Sequence, residues 1–161
     1  MVLIDKAGMP LVDPWQYPNS DEEPMQSDHT VVRLSHWECY QQLYGQSATG
    51  VWVMGDQDPA ALLPLLSQVR VLVIEFPKSR DGRGFTLARV LRERHQYCGD
   101  IRAAGPLLPD QFATLVQCGY TSLLSCAAVP LVRWYEAALA LEQAKARPRT
   151  FLDRLSDNSQ A

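Results

Sequence analysis

Residues 69–89 read VRVLVIEFPKSRDGRGFTLAR, and the reading of the fold turns on them. Nearly every position from Val69 to Phe76 is apolar. A strand of that kind has no polar face to offer water, so it belongs in a parallel sheet that is covered on both sides. Pro77 then stops it, and Lys78, Arg80 and Arg83 gather with Gly82 and Gly84 where an amphipathic helix, 84–95, begins. Helix starts are already electropositive, so packing does not call for three further cations there.

Outward from this stretch the same alternation repeats. GVWVMG (50–55) reads as a strand, and DPAALLPLLSQ (58–68) as a helix with Asp58 as cap and Pro59 at its first position. DIRAAG (100–105), LPDQFATLVQCG (108–119), YTSLLSC (120–126) and PLVRWYEAALALEQAKA (130–146) continue the pattern, with Gly119 closing the third helix. The expected fold is therefore α/β, with four consecutive βα units forming a parallel sheet by right-handed crossovers. The pattern leaves open whether that sheet is doubly wound or curved like half a barrel. Before these units, residues 1–12 read as a β-hairpin at the edge of the fold. HTVVRL (29–34) reads as a strand, and Ser35 with Glu38 as the capping box of a helix stopped by Gly45. A single domain spans 1–147. Inside it, residues 13–29 form a proline-rich, acidic connector suited to the surface or to disorder, and 148–161 form a polar, frayed tail. Arg89, Arg92 and Glu93 read as the solvated face of the second helix.

Composition narrows the function. Of 161 residues 47% are hydrophobic, enough for one core, and 15 basic against 18 acidic residues give a net charge of −3. That balance lacks the broad basic field of a nucleic-acid binder. No apolar run is long enough to span a bilayer and no leader is evident, so a cytoplasmic protein is expected. The cysteines are dispersed, with no zinc spacing, and no metal site is assigned.

In α/β folds of either kind, ligands bind where the strands end and the βα loops gather. The second loop is the richest. Lys78, Arg80 and Arg83, with the amides around Gly82 and Gly84, form a candidate cradle for a small oxyanion, and Gln111 of the third loop is a candidate further donor. Glu75 and Asp81 are the candidate acid/base residues. The bland alternative is a solvated collar in which Glu75 and Asp81 simply pair with the cations. Walker and dinucleotide loops are both absent, so no cofactor is assigned. Trp15 and Tyr17 either anchor a partner or fold back over the core as a lid.

EFPKSRDGRGFTLARVLRER (75–94), GDIRAAGPLLPDQF (99–112) and QCGY (117–120) resemble an uncharacterised bacterial family, the domain of unknown function nine-three-four. Its members carry EFPKFxDGRGxSLAxLLRxR, then GELRAxGxVLxDQ, then CGF or CGY. The pattern carries over onto Glu75, Lys78, Asp81, Gly82, Arg83, Gly84, Arg92, Arg102, Gly105, Asp110 and Gln111. Ser79 stands where the family has an aromatic, and Pro106 and Pro109 alter the third loop, so an identical ligand does not follow. Members are usually encoded beside the haem subunit of assimilatory sulfite reductase and are often described as oxidoreductases of sulfite reduction. The resemblance thus implies an accessory protein of that pathway, binding a small oxyanion or docking on the haem subunit. The alternative it implies is an enzyme of sulfur assimilation acting with a partner-held cofactor.

Overall fold

The computed structural model describes residues 1–18, 26–126 and 128–146. Seven strands form one mixed, mostly parallel sheet: β1 (Val2–Asp5), β2 (Pro10–Leu11), β3 (Val31–Arg33), β4 (Gly50–Met54), β5 (Val71–Glu75), β6 (Asp100–Ala104) and β7 (Ser122–Ser125). Their order is β2-β1-β7-β6-β5-β4-β3, and the sheet is open. From β3 to β7 every neighbouring pair is parallel, whereas β1 runs antiparallel to both β7 and β2. The hairpin therefore sits at the sheet edge, as expected. It turns through Gly8, whose φ of +76° suits glycine.

Strand order decides where the helices lie. From β3 to β7 each strand is laid beside the one before it, so right-handed connections all return on the same side. Accordingly α1 (Trp37–Tyr44), α2 (Arg83–Glu93), α3 (Phe112–Gln117) and α4 (Leu131–Ala146) all contribute to one core cluster. Trp37, Leu87, Phe112 and Trp134 meet Ile4, Leu72, Ile74 and Ile101 there. The opposite, inner face carries a smaller cluster, including Leu3, Val31, Trp52, Val73 and Leu124, with no helical residue in it. Its cover comes from the connector, because Trp15 and Tyr17 pack on it.

Of the forms expected for the connector, the part the structure describes takes the surface one, with Trp15 and Tyr17 folded back over the core. Gln16 bridges to Thr30, its amide donating to the His29 carbonyl at 2.8 Å, so residues 13–17 form a strap beside β3. Gly50 makes room for it: a Cβ there would meet the Trp15 ring at 3.0 Å. The rest of the connector, 19–25, and the tail at 148–161 lie outside the described residues.

Three local expectations are corrected. Asp58 does cap, accepting from the Ala60 amide at 2.9 Å, but a 3-10 turn, Pro59–Ala61, replaces the expected helix and is followed by further turns. Pro64 explains the difference, since it lacks an amide hydrogen and would clash with the carbonyl four residues earlier. Ser35 makes no cap; it lies inside a 3-10 turn, Leu34–His36, and α1 begins after it. Arg92 is half-buried rather than solvated. Its guanidinium donates to the carbonyls of Tyr97 (2.5 Å), Gly99 (2.8 Å) and Gly119 (2.9 Å), and burial pulls its pKa below the ordinary arginine value. It fastens α2 to the amino-terminal end of the sheet.

Among the described residues no helix is long and apolar enough to cross a membrane.

Candidate functional site

Residues at the carboxyl ends of the strands are aligned by register, with Met54, Glu75 and Ala104 side by side. Beyond the strands the ladder continues: the Gly55 amide donates to Glu75, and the Phe76 amide to Ala104, at 2.9 and 2.8 Å. Phe76 turns inward and is buried against Phe85 and Tyr120. Two glycines make this possible. A Cβ on Gly84 would lie 2.6 Å from the Phe76 ring, and one on Gly105, whose φ is +118°, would lie 2.2 Å from the Phe76 carbonyl oxygen. Tyr120 then donates to the Gly84 carbonyl at 2.8 Å. The start of α2 is thus fixed onto the sheet by packing. Gly82 has an ordinary φ of −79° and open space around it, so no turn requires it to be glycine.

On this base the charged residues separate into three groups. Arg83 faces carboxylates: its Nε and Nη2 donate to Asp81 at 2.9 and 2.6 Å, and its Nη1 to Asp56 at 2.8 Å. The Asp81 Oδ1 also accepts from the backbone amide of Arg83, the first residue of α2, at 3.1 Å. These hydrogen bonds hold Asp81 down at about pKa 2, and the Asp81 bond raises the Arg83 guanidinium above its ordinary value. Asp81 is a depressed carboxylate, so whatever the clamp contributes is present above the ordinary pKa of 3.8 and is lost as pH falls through about 2. An NMR titration of the Asp81 carboxyl carbon is expected to show a midpoint near 2, returning towards 3.8 in Arg83→Met. A midpoint unchanged by that substitution would refute the clamp.

Lys78 and Arg80 form the second group. Both are exposed, and neither side chain has a hydrogen bond or ion pair among the described residues. Their loop is nonetheless held in place. Gln111 donates its amide nitrogen to the Ser79 carbonyl and accepts from the Leu108 amide at 3.0 Å, tying the second loop to the third. Gln111 therefore spends one of its two side-chain N–H donors on the protein's own backbone.

Glu75 belongs to a third group, on the inner face. Its Oε2 accepts from the Trp52 indole at 2.5 Å and lies 3.5 Å from Arg33, whose guanidinium sits 5.7 Å over the Trp52 ring. Oε1 has no hydrogen-bond partner among the described residues. Glu75 and Asp81 thus have separate arginines and do not form a pair.

Below Trp52 the strap is locked down. Tyr17 meets Trp52 edge-on at 5.9 Å and donates to Asp13 at 2.6 Å. Arg102 joins Asp13 at 2.8 Å, Asp100 at 2.6 Å and the Tyr17 hydroxyl at 2.5 Å. Burial opposes the Arg102 charge, but the bonds to Asp100 and Asp13 prevail and raise its pKa. The Tyr17 phenol is also pushed up, by burial first and then by Asp13. Reading the sequence for sites missed Arg33 and Trp52. Strand alternation was the available signal, because Trp52 and Glu75 fall on one face once β4 and β5 are in register.

A family model described as a bacterial protein of unknown function (DUF934) matches residues 50–145. The chain belongs to this family. The match takes in the second and third loops, Phe76 with its glycines, and Arg102, while Arg33 and the strap precede it. No curated protein matches the chain. Among solved proteins, one described as "Native KDPGal structure" is similar at 15% identity, over 73% of this chain and 81% of that one, with a TM-score of 0.28.

Proposed function

We propose that this member of the family is an accessory protein of assimilatory sulfite reduction that docks on the haem subunit of sulfite reductase through the carboxyl edge of its sheet. Lys78 and Arg80 make the contact, to an oxyanion or to acidic groups of the partner. One observation carries this reading: two exposed cations, neither with a hydrogen bond or ion pair among the described residues, sit on a loop whose backbone is pinned by Gln111 and by the buried Phe76. A loop held this way presents charge at little cost in ordering. The geometry narrows the oxyanion cradle, because Arg83 already grips Asp81 and Asp56 and an incoming anion would have to displace them. Lys78 and Arg80 are what remains for it. The pathway itself rests on the family resemblance.

Two cations on an open loop suit a weak small-anion site. Calorimetric titration with sulfite, sulfate and phosphate is expected to give dissociation constants of about 1 mM, near −4 kcal/mol, and no binding in Lys78→Ala/Arg80→Ala. Heat unchanged in that variant would remove both residues from the site.

A second reading is an enzyme working with a partner-held cofactor, and the free Oε1 of half-buried Glu75 favours it. Glu75 would be the acid/base there, held by Trp52 and Arg33. Asp81 fits that role poorly, since a carboxylate near pKa 2 is far from the working range of a general acid.

A further inference from the structure

We infer that Glu75 and Arg33 form a binding site for a small zwitterion, the ammonium and carboxylate of a free α-amino acid, on the inner face at the carboxyl ends of β3 to β5. The inference takes up the residues of the second reading above but asks only for binding, so it stands whether or not Glu75 moves a proton. It is independent of docking through Lys78 and Arg80.

Position is the first ground. Ligands of parallel α/β sheets meet the carboxyl ends of the strands. Here the last residues of β3, β4 and β5 are Arg33, Met54 and Glu75. Strand alternation puts all three on the inner face with Val31, Trp52 and Val73, whose cluster contains no helical residue.

Unfilled bonding capacity is the second. Oε2 of Glu75 accepts from the Trp52 indole at 2.5 Å, while Arg33 Nη1 stands 3.5 Å away, beyond the range of a good hydrogen bond. Among the described residues Oε1 has no partner, and no other guanidinium nitrogen of Arg33 donates. Side-chain exposures of 29% for Glu75 and 35% for Arg33 leave both within reach of a solute. The other arginine of this face shows the contrast, because buried Arg102 joins Asp13, Asp100 and Tyr17. That cluster is closed. At the strand ends a free acceptor stands beside free donors.

Trp52 fixes both groups in advance: its indole nitrogen holds Glu75, its ring lies 5.7 Å under the Arg33 guanidinium, and Tyr17 meets it edge-on. Charges placed this way bind at little cost in ordering. Opposite charges side by side also select the ligand. A simple anion is repelled by Glu75 and a simple cation by Arg33. A molecule with an ammonium one carbon from a carboxylate matches both, the ammonium donating to Oε1 and Arg33 to the carboxylate. Exposed Met54, paired in register with Glu75, offers an apolar contact to a side chain such as leucine's.

Heteronuclear NMR of the full chain, following the Trp52 indole N–H, tests this. L-leucine added to about 20 mM is expected to shift that signal to saturation, with a dissociation constant of about 1 mM. N-acetyl-L-leucine, which lacks the ammonium, and L-leucinamide, which lacks the carboxylate, are each expected to bind at least about 10-fold more weakly. Glu75→Gln, which keeps an acceptor for the indole, and Arg33→Met are expected to weaken leucine binding by a similar factor, with circular dichroism unchanged. No shift with leucine at that concentration overturns the inference. So does equal binding of either blocked derivative, or leucine binding indifferent to both substitutions.

Discussion

Arg102→Met is expected to destabilise the protein by about 3 to 5 kcal/mol, the usual cost of removing one member of a buried ion pair. Only 6% of the Arg102 side chain is exposed, and its partners Asp13 and Asp100 are 18% and 28% exposed. Methionine fills much of the volume but leaves two carboxylates on the inner face without their cation. Asp100 keeps hydrogen bonds from Thr121 and Ser122, so Asp13 suffers more. Its loss should loosen the strap, because Asp13 also holds Tyr17, and Tyr17 with Trp15 covers the inner apolar cluster. Urea unfolding followed by tryptophan fluorescence reads the effect, with Trp15 and Trp52 both close to the change. Adding Asp13→Asn removes one orphaned charge, so the double variant should lose less than the sum of the two single losses. Additive losses would mean that the two residues are not coupled.

Short-range patterns carried most of what could be read beforehand. The apolar run of β5 and the helix stops at Gly45 and Gly119 depend on neighbours in the chain, and each lies where local chemistry put it. The helix expected at 58–68 failed on local chemistry too, since Pro64 alone is enough to break it. Other features depend on contacts no spacing rule reaches. Arg102 and Asp13 are 89 residues apart, and Arg83 and Asp56 are 27 apart. Strand order belongs to the same class: it puts α1 to α4 on one side and leaves the other to the strap, and composition does not encode it. The candidate site shows the same division. Lys78, Arg80 and Arg83 were legible as cations at a helix start, but the carboxylate clamp separates Arg83 from the other two.

What the clamp leaves free is the basis of the proposed function, and its reversal should have the largest effect on binding. Lys78→Glu/Arg80→Glu places two negative charges where the partner expects positive ones, and like charges facing each other across an interface cost several kcal/mol. The fold should change little, because both side chains are exposed, neither has a hydrogen bond or ion pair among the described residues, and the attraction of Lys78 for Asp81 is the weakest of the effects acting on that carboxylate. The direct measurement is capture from the native cell on immobilised wild-type and charge-reversed protein, with the haem subunit of sulfite reductase followed by its absorbance. Retention on the wild type at low salt, release as salt rises, and an affinity lower by more than about 100-fold on the variant, or about 2.7 kcal/mol, are predicted. Equal retention on both, or none on the wild type, would contradict docking through Lys78 and Arg80.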